Sequence, residues 1–283
     1  MSISSSTVAV VGAGIAGLSA AIRLAVAGKK VIVFEQNSYT GGKVTAFEQK
    51  GFRFDMGPSL FTLPHLVDEL FELAGKNPRA YFNYHTHAEV CRYFWDDGTK
   101  LTMYPSIEKN EAAVASVFGP SEAKQLRDYF EKAKRKYDLT APFFLEKSLH
   151  RASTFLTPAV VKVLAEIPKL GLFSTLHEEN EKAFRTPKLV QLFNRYATYN
   201  GSSPYQTPGI MQMITHLEHS LGTHFPMGGM HEISQSLTRL AVDLGVRFEL
   251  ETRVEEFLIE YKSITGLVAG GKTWEVDQLV CNT

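Results

Sequence analysis

The stretch VVGAGIAGLSAAIRLAVAGKKVIVFE, residues 10–35, limits the fold more than any other part of the sequence. The valine-rich run TVAVV leads into it and is typical of a strand buried on both faces of a parallel sheet. A glycine-rich turn follows, and the next segment, LSAAIRLAVA, predicts a helix. The apolar run KVIVF then predicts a second buried strand, which ends at Glu35. Strand, turn, helix and strand in this order predict a Rossmann-like α/β fold with a parallel sheet.

The glycines of this turn have separate predicted roles. Gly12 permits the sharp reversal of the backbone, Gly14 lets the chain approach a pyrophosphate, and Gly17 lets the helix lie close to the strand. The first turn of the helix presents unpartnered N–H groups and the positive end of the helix dipole to an anion. Glu35 lies 18 positions beyond Gly17, where a carboxylate meets a ribose hydroxyl and repels a 2′-phosphate. The pattern predicts a dinucleotide site but does not by itself separate FAD from NAD.

More glycine-rich backbone follows in NSYTGGKVTAFEQKGFRFDMGPSLF, residues 37–61. Gly41 and Gly42 precede Lys43, and GPS at residues 57–59 follows a short predicted strand. On propensity alone, two ordinary turns explain these residues as well as a cofactor site does.

Residues 8–61 resemble the amino-terminal signature of the FAD-dependent amine oxidase and phytoene desaturase superfamily. The resemblance implies that the cofactor is FAD. The residues that we assign to its site are Gly12, Ala13, Gly14, Ile15, Ala16, Gly17, Glu35, Gln36, Gly42, Lys43, Gly57, Pro58, Ser59 and Val254.

The middle of the chain predicts a mostly helical insert. Residues 81–105 are typical of a hairpin that turns at Asp97–Gly98. The stretch SEAKQLRDYFEKAKRKYD predicts an amphipathic helix. Its apolar face consists of Leu126, Tyr129, Phe130 and Ala133.

Three Thr-Pro pairs in the insert each predict a helix start, with a capping hydroxyl followed by proline at the first helical position. They are Thr157–Pro158, Thr186–Pro187 and Thr207–Pro208. The apolar stretch at residues 141–173 is compatible with a tunnel wall, a membrane-facing patch or ordinary core.

The segment from residue 225 onward returns to strands and helices. It predicts a helix that ends at Gly245, a strand VRFEL, a meander that turns at GGK, and a final apolar strand QLVCN. The resemblance places the backbone of Val254 against the adenine. The expected organisation is an FAD-binding domain in two parts, residues 1–78 and 225–283, split by a substrate-domain insert at residues 79–224.

Residues 193–209 and 225–241 resemble carotenoid desaturases of the bacterial phytoene desaturase type. The segment RYATY resembles the branch that makes the 3,4 double bond in hydroxylated carotenoids. The resemblance implies hydride transfer from an allylic C–C bond to flavin N5, with an apolar polyene as substrate. It also implies a cytoplasmic protein attached peripherally to a membrane through the insert. The sequence assigns no catalytic acid or base.

Members of this family continue beyond the point that Thr283 matches, by about 100 to 200 residues, the length of another domain. The resemblance therefore implies a C-terminally truncated chain that retains the adenosine and diphosphate contacts. The floor beneath the flavin ring and part of the substrate path are expected to lie in the remainder.

Composition excludes several other classes of function. Lys plus Arg and Asp plus Glu each number 30, and without a basic patch we expect no nucleic-acid partner. The two cysteines argue against a disulfide framework and for a reducing, intracellular compartment. Four histidines lie between residues 216 and 231, but no carboxylate or thiol completes a metal motif, and we expect no metal.

Three alternatives stay open. The first is another enzyme on this scaffold, either an amine oxidase or a carotenoid isomerase that uses reduced flavin. The second is a flavin-free escort protein for prenylated GTPases, against which the intact turn with Glu35 argues. The third is an NAD dehydrogenase, against which the GG doublet and the GPS segment argue.

Overall fold

The computed structural model describes residues 6–144, 147, 150–151, 163 and 166–282. The chain packs as two compact units, residues 1–85 with 224–283 (unit 1) and residues 86–223 (unit 2). These units are defined by packing alone, and the predicted substrate-domain insert at residues 79–224 stays a proposal.

The described elements follow one another along the chain as β1 (Thr7–Val11), α1 (Ile15–Val26), β2 (Lys30–Phe34), β3 (Thr45–Gln49), β4 (Phe52–Met56), α2 (His65–Leu73), β5 (Tyr84–Thr86), β6 (Cys91–Phe94), β7 (Lys100–Met103), α3 (Ile107–Phe118), α4 (Pro120–Phe144), α5 (Leu176–Ala183), α6 (Pro187–Asn194), α7 (Ile214–His219), β8 (His224–Pro226), α8 (Glu232–Asp243), β9 (Arg247–Glu249), β10 (Val254–Glu260), β11 (Ser263–Ala269), β12 (Lys272–Glu275) and β13 (Gln278–Cys281). Short 3₁₀ helices span Pro78–Ala80, Arg195–Asn200 and Gly209–Met213.

Unit 1 contains a four-stranded sheet in the order β13-β1-β2-β9. Its neighbouring strands run parallel, with Val10 opposite Val33 on one side and Val280 on the other. The apolar runs in β1 and β2 are buried, as their composition predicts for strands covered on both faces. The predicted parallel α/β sheet is confirmed.

Both faces of this sheet are covered. On one face, Leu18 and Ile22 of α1 pack with Leu237 and Leu240 of α8 against the valines of β1 and β2. On the other face, the antiparallel meander β10-β11-β12 contributes Leu267 to a second cluster. The chain leaves this meander into β13, so the predicted meander and the final strand are confirmed.

Strands β3 and β4 form a separate antiparallel ribbon in unit 1. Phe47 lies opposite Phe54, and their rings stack with centroids 5.1 Å apart. Side chains alternate along a strand, so Phe52 and Met56 lie on the same face as Phe54. All four side chains are exposed.

Unit 2 confirms two predictions for the insert. Strands β6 and β7 pair as a hairpin, and Gly98 in its turn donates its N–H to the Trp95 carbonyl at 2.9 Å. The residues of the predicted apolar face of α4 are all buried: Leu126, Tyr129, Phe130 and Ala133. No helix among the described residues has the length and apolar character that crossing a membrane requires.

The Thr-Pro predictions are only partly correct. Helix α6 begins at Pro187, but the Thr186 hydroxyl donates to Glu122 at 2.9 Å instead of capping the helix. Thr207–Pro208 precedes a 3₁₀ helix, not an α-helix, and Pro208 is its cap residue. The third pair, at residues 157–158, lies outside the described residues.

Candidate functional site

An open cleft of about 810 Å³ lies in unit 1, where β1, β2 and β13 end. Ligands of open α/β sheets bind in the crevice at the carboxyl ends of the strands. The cleft is lined by Val11, Gly12, Gly14, Ile15, Ala16, Phe34, Glu35, Gln36, Asn37, Gly41, Gly42, Lys43, Val44, Thr252, Arg253, Val254 and Asn282.

Two glycines, which have no side chain, allow the tight packing of the turn beneath the cleft. Gly12 has φ +94°, and a Cβ there would lie 2.4 Å from the Asn282 carbonyl oxygen. A Cβ on Gly17 would lie 2.0 Å from the Gly12 carbonyl oxygen. Side-chain carbons do not approach backbone oxygens so closely, so the helix and the turn pack this tightly only with glycine at both positions.

The N-terminus of α1 faces the cleft. Gly14 is its cap residue, no side chain caps it, and its first turn contains no acidic residue. The Gly41 N–H donates to the Ala13 carbonyl at 2.8 Å, which brings the segment with Gly42 and Lys43 beside the turn. Free N–H groups at a helix start together with a lysine form an arrangement that binds an anion.

Glu35 connects the turn to the opposite wall. Its buried carboxylate accepts hydrogen bonds from the Ala13 N–H at 2.8 Å and the Asn37 N–H at 2.9 Å. The Asn37 side-chain amide is a third donor at 2.8 Å. An ionised carboxylate has about four acceptor positions, so one remains for a ligand hydroxyl.

The backbone of Glu35 also binds the segment that forms the opposite wall of the cleft. Its carbonyl accepts a hydrogen bond from the Thr252 N–H at 2.8 Å. Arg253 and Val254 therefore follow directly beside the carboxylate and line the cleft.

The structure brings most of the predicted site residues to this cleft. Gly12, Gly14, Ile15, Ala16, Glu35, Gln36, Gly42, Lys43 and Val254 line it.

The other five predicted residues lie outside the lining. Ala13 is fully buried, and Gly17 packs against the Gly12 carbonyl. Gly57 packs against the Lys43 backbone, since a Cβ there would lie 1.9 Å from the Lys43 carbonyl oxygen. Pro58 and Ser59 are exposed. The assignment of these five residues to a cofactor site stays a prediction.

Sequence reasoning missed several lining residues. Those it did not assign are Val11, Phe34, Asn37, Gly41, Val44, Thr252, Arg253 and Asn282. One signal was present, because Asn282 is the last residue of the predicted buried strand QLVCN, and the carboxyl ends of such strands line the crevice of a parallel sheet.

Unit 2 holds a separate buried polar cluster around Glu218. The Glu218 carboxylate accepts hydrogen bonds from Arg195 at 2.7 Å, Tyr199 at 2.6 Å and Tyr196 at 3.1 Å. The Tyr196 hydroxyl also lies 2.7 Å from Nε2 of His219. These residues belong to the RYATY segment and to α7, so the cluster ties the two together.

The helical histidines are packing residues. Burial lowers the pKa of His219 to about 4, so its imidazole is neutral at physiological pH. Its Nδ1 lies 3.3 Å from the Tyr104 carbonyl, and Tyr196 occupies Nε2. His216 packs with the ring of Tyr137. Within the described ranges, no group of three or more His, Cys, Asp or Glu side chains is arranged to hold a metal ion.

Comparison with known sequences gives two informative relatives. The chain is 48% identical over 273 residues to the 1-hydroxycarotenoid 3,4-desaturase of Flavobacterium sp. strain P99-3, covering 96% of this chain and 55% of that protein. It is 32% identical over 249 residues to the 4,4'-diapolycopene oxygenase of a Methylomonas species, covering 88% of this chain and 50% of that protein. The chain thus spans about half the length of the curated relatives it matches.

Comparison with solved structures identifies the fold. An oxidoreductase from Methanosarcina mazei matches with a TM-score of 0.61 and 19% identity, covering 98% of this chain and 58% of that one. The model of the family described as flavin containing amine oxidoreductase matches residues 15–283. Because this match covers nearly the whole sequence, the chain belongs to the flavin-containing amine oxidoreductase family.

Proposed function

We propose that the complete protein is an FAD-dependent carotenoid desaturase of the hydroxycarotenoid 3,4-desaturase type, and that this chain supplies the adenosine and diphosphate part of its FAD site. The observation that carries the proposal is the 48% identity, over 96% of this chain, to a protein of that name. The RYATY segment agrees with the same branch.

The cleft in unit 1 fits the nucleotide half of FAD. The free N–H groups at the start of α1 and the Lys43 ammonium suit a diphosphate. Glu35 retains an acceptor position for a ribose hydroxyl, and the Val254 backbone adjoins it for the adenine. Lys43 and Arg253 outnumber the single carboxylate of the lining, so the cleft favours an anionic ligand.

Desaturation removes two hydrogens from neighbouring carbons, one as a hydride and one as a proton, and no residue of this chain is assigned as the base that takes the proton. When bound, FAD supplies a hydride acceptor at N5. An allylic C–C bond offers no charged group for a side chain to bind, so the protein contributes orientation and exclusion of water. The residues of the cleft hold the nucleotide, and the insert is proposed to hold the polyene.

We also propose that the protein is cytoplasmic and attaches to the membrane surface through the insert, because its substrate dissolves in lipid. At the end of the apolar stretch, about half of which lies outside the described residues, Phe173 is 91% exposed and Leu172 is also exposed. Exposed apolar side chains of this kind are typical of a peripheral membrane contact.

Expression of the complete gene in a host that accumulates carotenoids tests the proposed function. We expect pigments that absorb at longer wavelength and that lack two hydrogens for each double bond formed. The matched control is a Gly17→Ala variant, in which the tight turn must move and FAD binding should fall, so the pigments should change much less.

The same experiment separates the alternatives. Because one relative is named an oxygenase, a gain of oxygen without loss of hydrogen pairs would favour that activity. Isomerisation would leave the mass unchanged. Unchanged pigments with the unaltered gene would contradict the proposal and leave an amine oxidase or an escort protein as the better description.

A further inference from the structure

Asn282 occupies the switch point of the parallel sheet. From β1 the chain crosses to β2 on one side, whereas β13 pairs with the other side of β1. Crevices where connections diverge in this way are the binding sites of open α/β sheets. Asn282 directly follows β13, and its N–H donates to the Val11 carbonyl at 2.9 Å. Its backbone is therefore fixed by the same ladder that positions the glycine turn.

The Asn282 side chain lies over that turn. Its Nδ2 atom is 3.0 Å from where a Cβ of Gly17 would stand, 3.5 Å from that of Gly14 and 3.7 Å from that of Gly12. The side chain is partly exposed and lines the cleft. It makes no hydrogen bond to any residue that the structure describes, so the amide N–H groups are available to a ligand.

The neighbouring groups favour an acidic ligand at this donor. The start of α1 lies beside it without a side-chain cap or an acidic first turn. A neutral amide adds a donor there, whereas an aspartate of the same shape would repel an anion.

We propose that Asn282 is a nucleotide-positioning residue whose Nδ2 donates a hydrogen bond to the diphosphate of the bound dinucleotide. This inference rests on the proposed function, since it requires FAD in the cleft. The glycine turn follows β1, whereas Asn282 follows β13, the strand beside β1. The diphosphate would therefore be held by two segments that are far apart in the sequence.

Binding measurements on the complete protein test this assignment. The variants are Asn282→Ala, which removes the donor, and Asn282→Asp, which also adds a negative charge. The matched control is Gln278→Glu, an exposed position on the same strand and outside the cleft lining. The probes are FAD, ADP and adenosine, with adenosine and ADP measured as competitors of FAD. Melting of each apoprotein reports whether the variant folds.

We expect both Asn282 variants to bind FAD and ADP more weakly, by roughly tenfold to a hundredfold, with Asn282→Asp the weaker, because a hydrogen bond to a charged group is lost. Adenosine lacks the diphosphate, so its competition constant should stay within about twofold of the unaltered protein. The Gln278→Glu control should bind all three probes normally.

Two results would overturn the assignment. One is a folded Asn282→Ala variant that binds FAD and ADP normally, and the other is an equal loss for adenosine, which indicates a merely structural role. Failure of the unaltered protein to bind either FAD or ADP is a different result and contradicts the proposed function as well.

Discussion

At the scale of single residues, the cleft depends on positions that carry no side chain. Gly17 lies in the first turn of α1, and alanine normally favours a helix over glycine. At this position glycine is favoured over alanine, because the Gly12 carbonyl oxygen lies where the Cβ of alanine would be. The residue is therefore dictated by the approach of helix to turn, not by helix propensity.

Replacing Gly17 by alanine should destabilise unit 1 by about 1–3 kcal/mol, the usual effect of overpacking a tight contact. FAD binding should fall with it, since the turn must move. Urea unfolding and FAD titration measure the two effects. Gly28→Ala is the control, because Gly28 has φ +79° but open space around its Cβ. It should cost about 1 kcal/mol and leave FAD binding intact.

Lys136 in unit 2 is a nearly buried cation. Its ammonium donates to the Gly209 carbonyl at 3.0 Å and lies 3.9 Å from the Glu179 carboxylate. Burial lowers the pKa of Lys136 to about 8, and the attraction of Glu179 offsets only part of that effect. The charged form is thus less favourable in the folded chain than in water.

The free energy of unfolding should rise with pH where Lys136 titrates. Between about pH 8 and the ordinary lysine pKa of 10.5, the unfolded chain holds more protons than the folded chain. A Lys136→Met variant should lose this increase, and Lys124→Met, at an exposed position of the same helix, should retain it. Urea titrations at several pH values measure the slopes. Equal slopes in both variants would contradict the assigned pKa.

At the scale of elements, α5 begins with a reciprocal cap. The Glu178 N–H donates to the Thr175 hydroxyl at 3.2 Å, and the Thr175 N–H donates to the Glu178 carboxylate at 2.8 Å. The two bonds satisfy donors that every helix start leaves unpaired. Thr175→Ala should therefore cost about 1 kcal/mol of stability by urea unfolding. Thr175→Ser keeps the hydroxyl, so an equal loss in both variants would rule out the cap as the cause.

The ribbon β3–β4 presents an apolar face to solvent. Phe52 is 69% exposed and Phe54 is 46% exposed, and contiguous patches of this kind favour association. Serine at both positions should reduce self-association of the chain and its binding of an apolar dye. Sedimentation and dye fluorescence measure this. Glu48→Ser alters the opposite face and should change neither, so a similar response there would point to loosening of the whole ribbon.

Elements whose signals are local could be predicted from the sequence, and contacts between distant segments could not. The turn from Gly12 to Gly17 and the hairpin at Gly98 follow from neighbouring residues. The cap at Thr186 failed because Glu122, 64 positions away, binds both its N–H and its hydroxyl. The helix predicted after Thr207 is a 3₁₀ helix, whose first N–H, on Gly209, is taken by the Ser174 carbonyl at 2.8 Å.

The same distinction holds for the site. Glu35 and the glycines share one βαβ unit, so their spacing identifies them. Thr252 and Arg253 come from a loop more than 200 positions away. The pairing of β2 with β9 and the backbone hydrogen bonds that follow it, among them the bond from Thr252 to Glu35, bring them to the cleft. No local pattern in the sequence signals this long-range pairing.

At the scale of the whole molecule, unit 1 is built from the two ends of the chain. Val8 and Gln278 are register partners 270 positions apart. Val280 of β13 also packs against the core that contains Val10 and Val33. The stability of β1 therefore depends on residues at the far end of the sequence.

Val280→Ser should lower the stability of unit 1 by about 1–3 kcal/mol through lost apolar packing. Hydrogen exchange should show weaker protection of the amides in β1, and amides of α4 in unit 2 should be unchanged. A Gln278→Ser substitution at the exposed start of β13 is the control. Equal loss of protection in α4 would show that the two units unfold together.

The pairing of β1 with β13 also has a consequence for biosynthesis. A ribosome releases β1 long before β13 is translated, so the edge of β1 that β13 occupies stays bare until residues 278–281 have emerged. The glycine turn can pack against Asn282 only after the intervening residues have emerged. Closure of this part of the cleft therefore comes after synthesis of residues 278–282, and until then the bare edge of β1 is a site where another chain can pair.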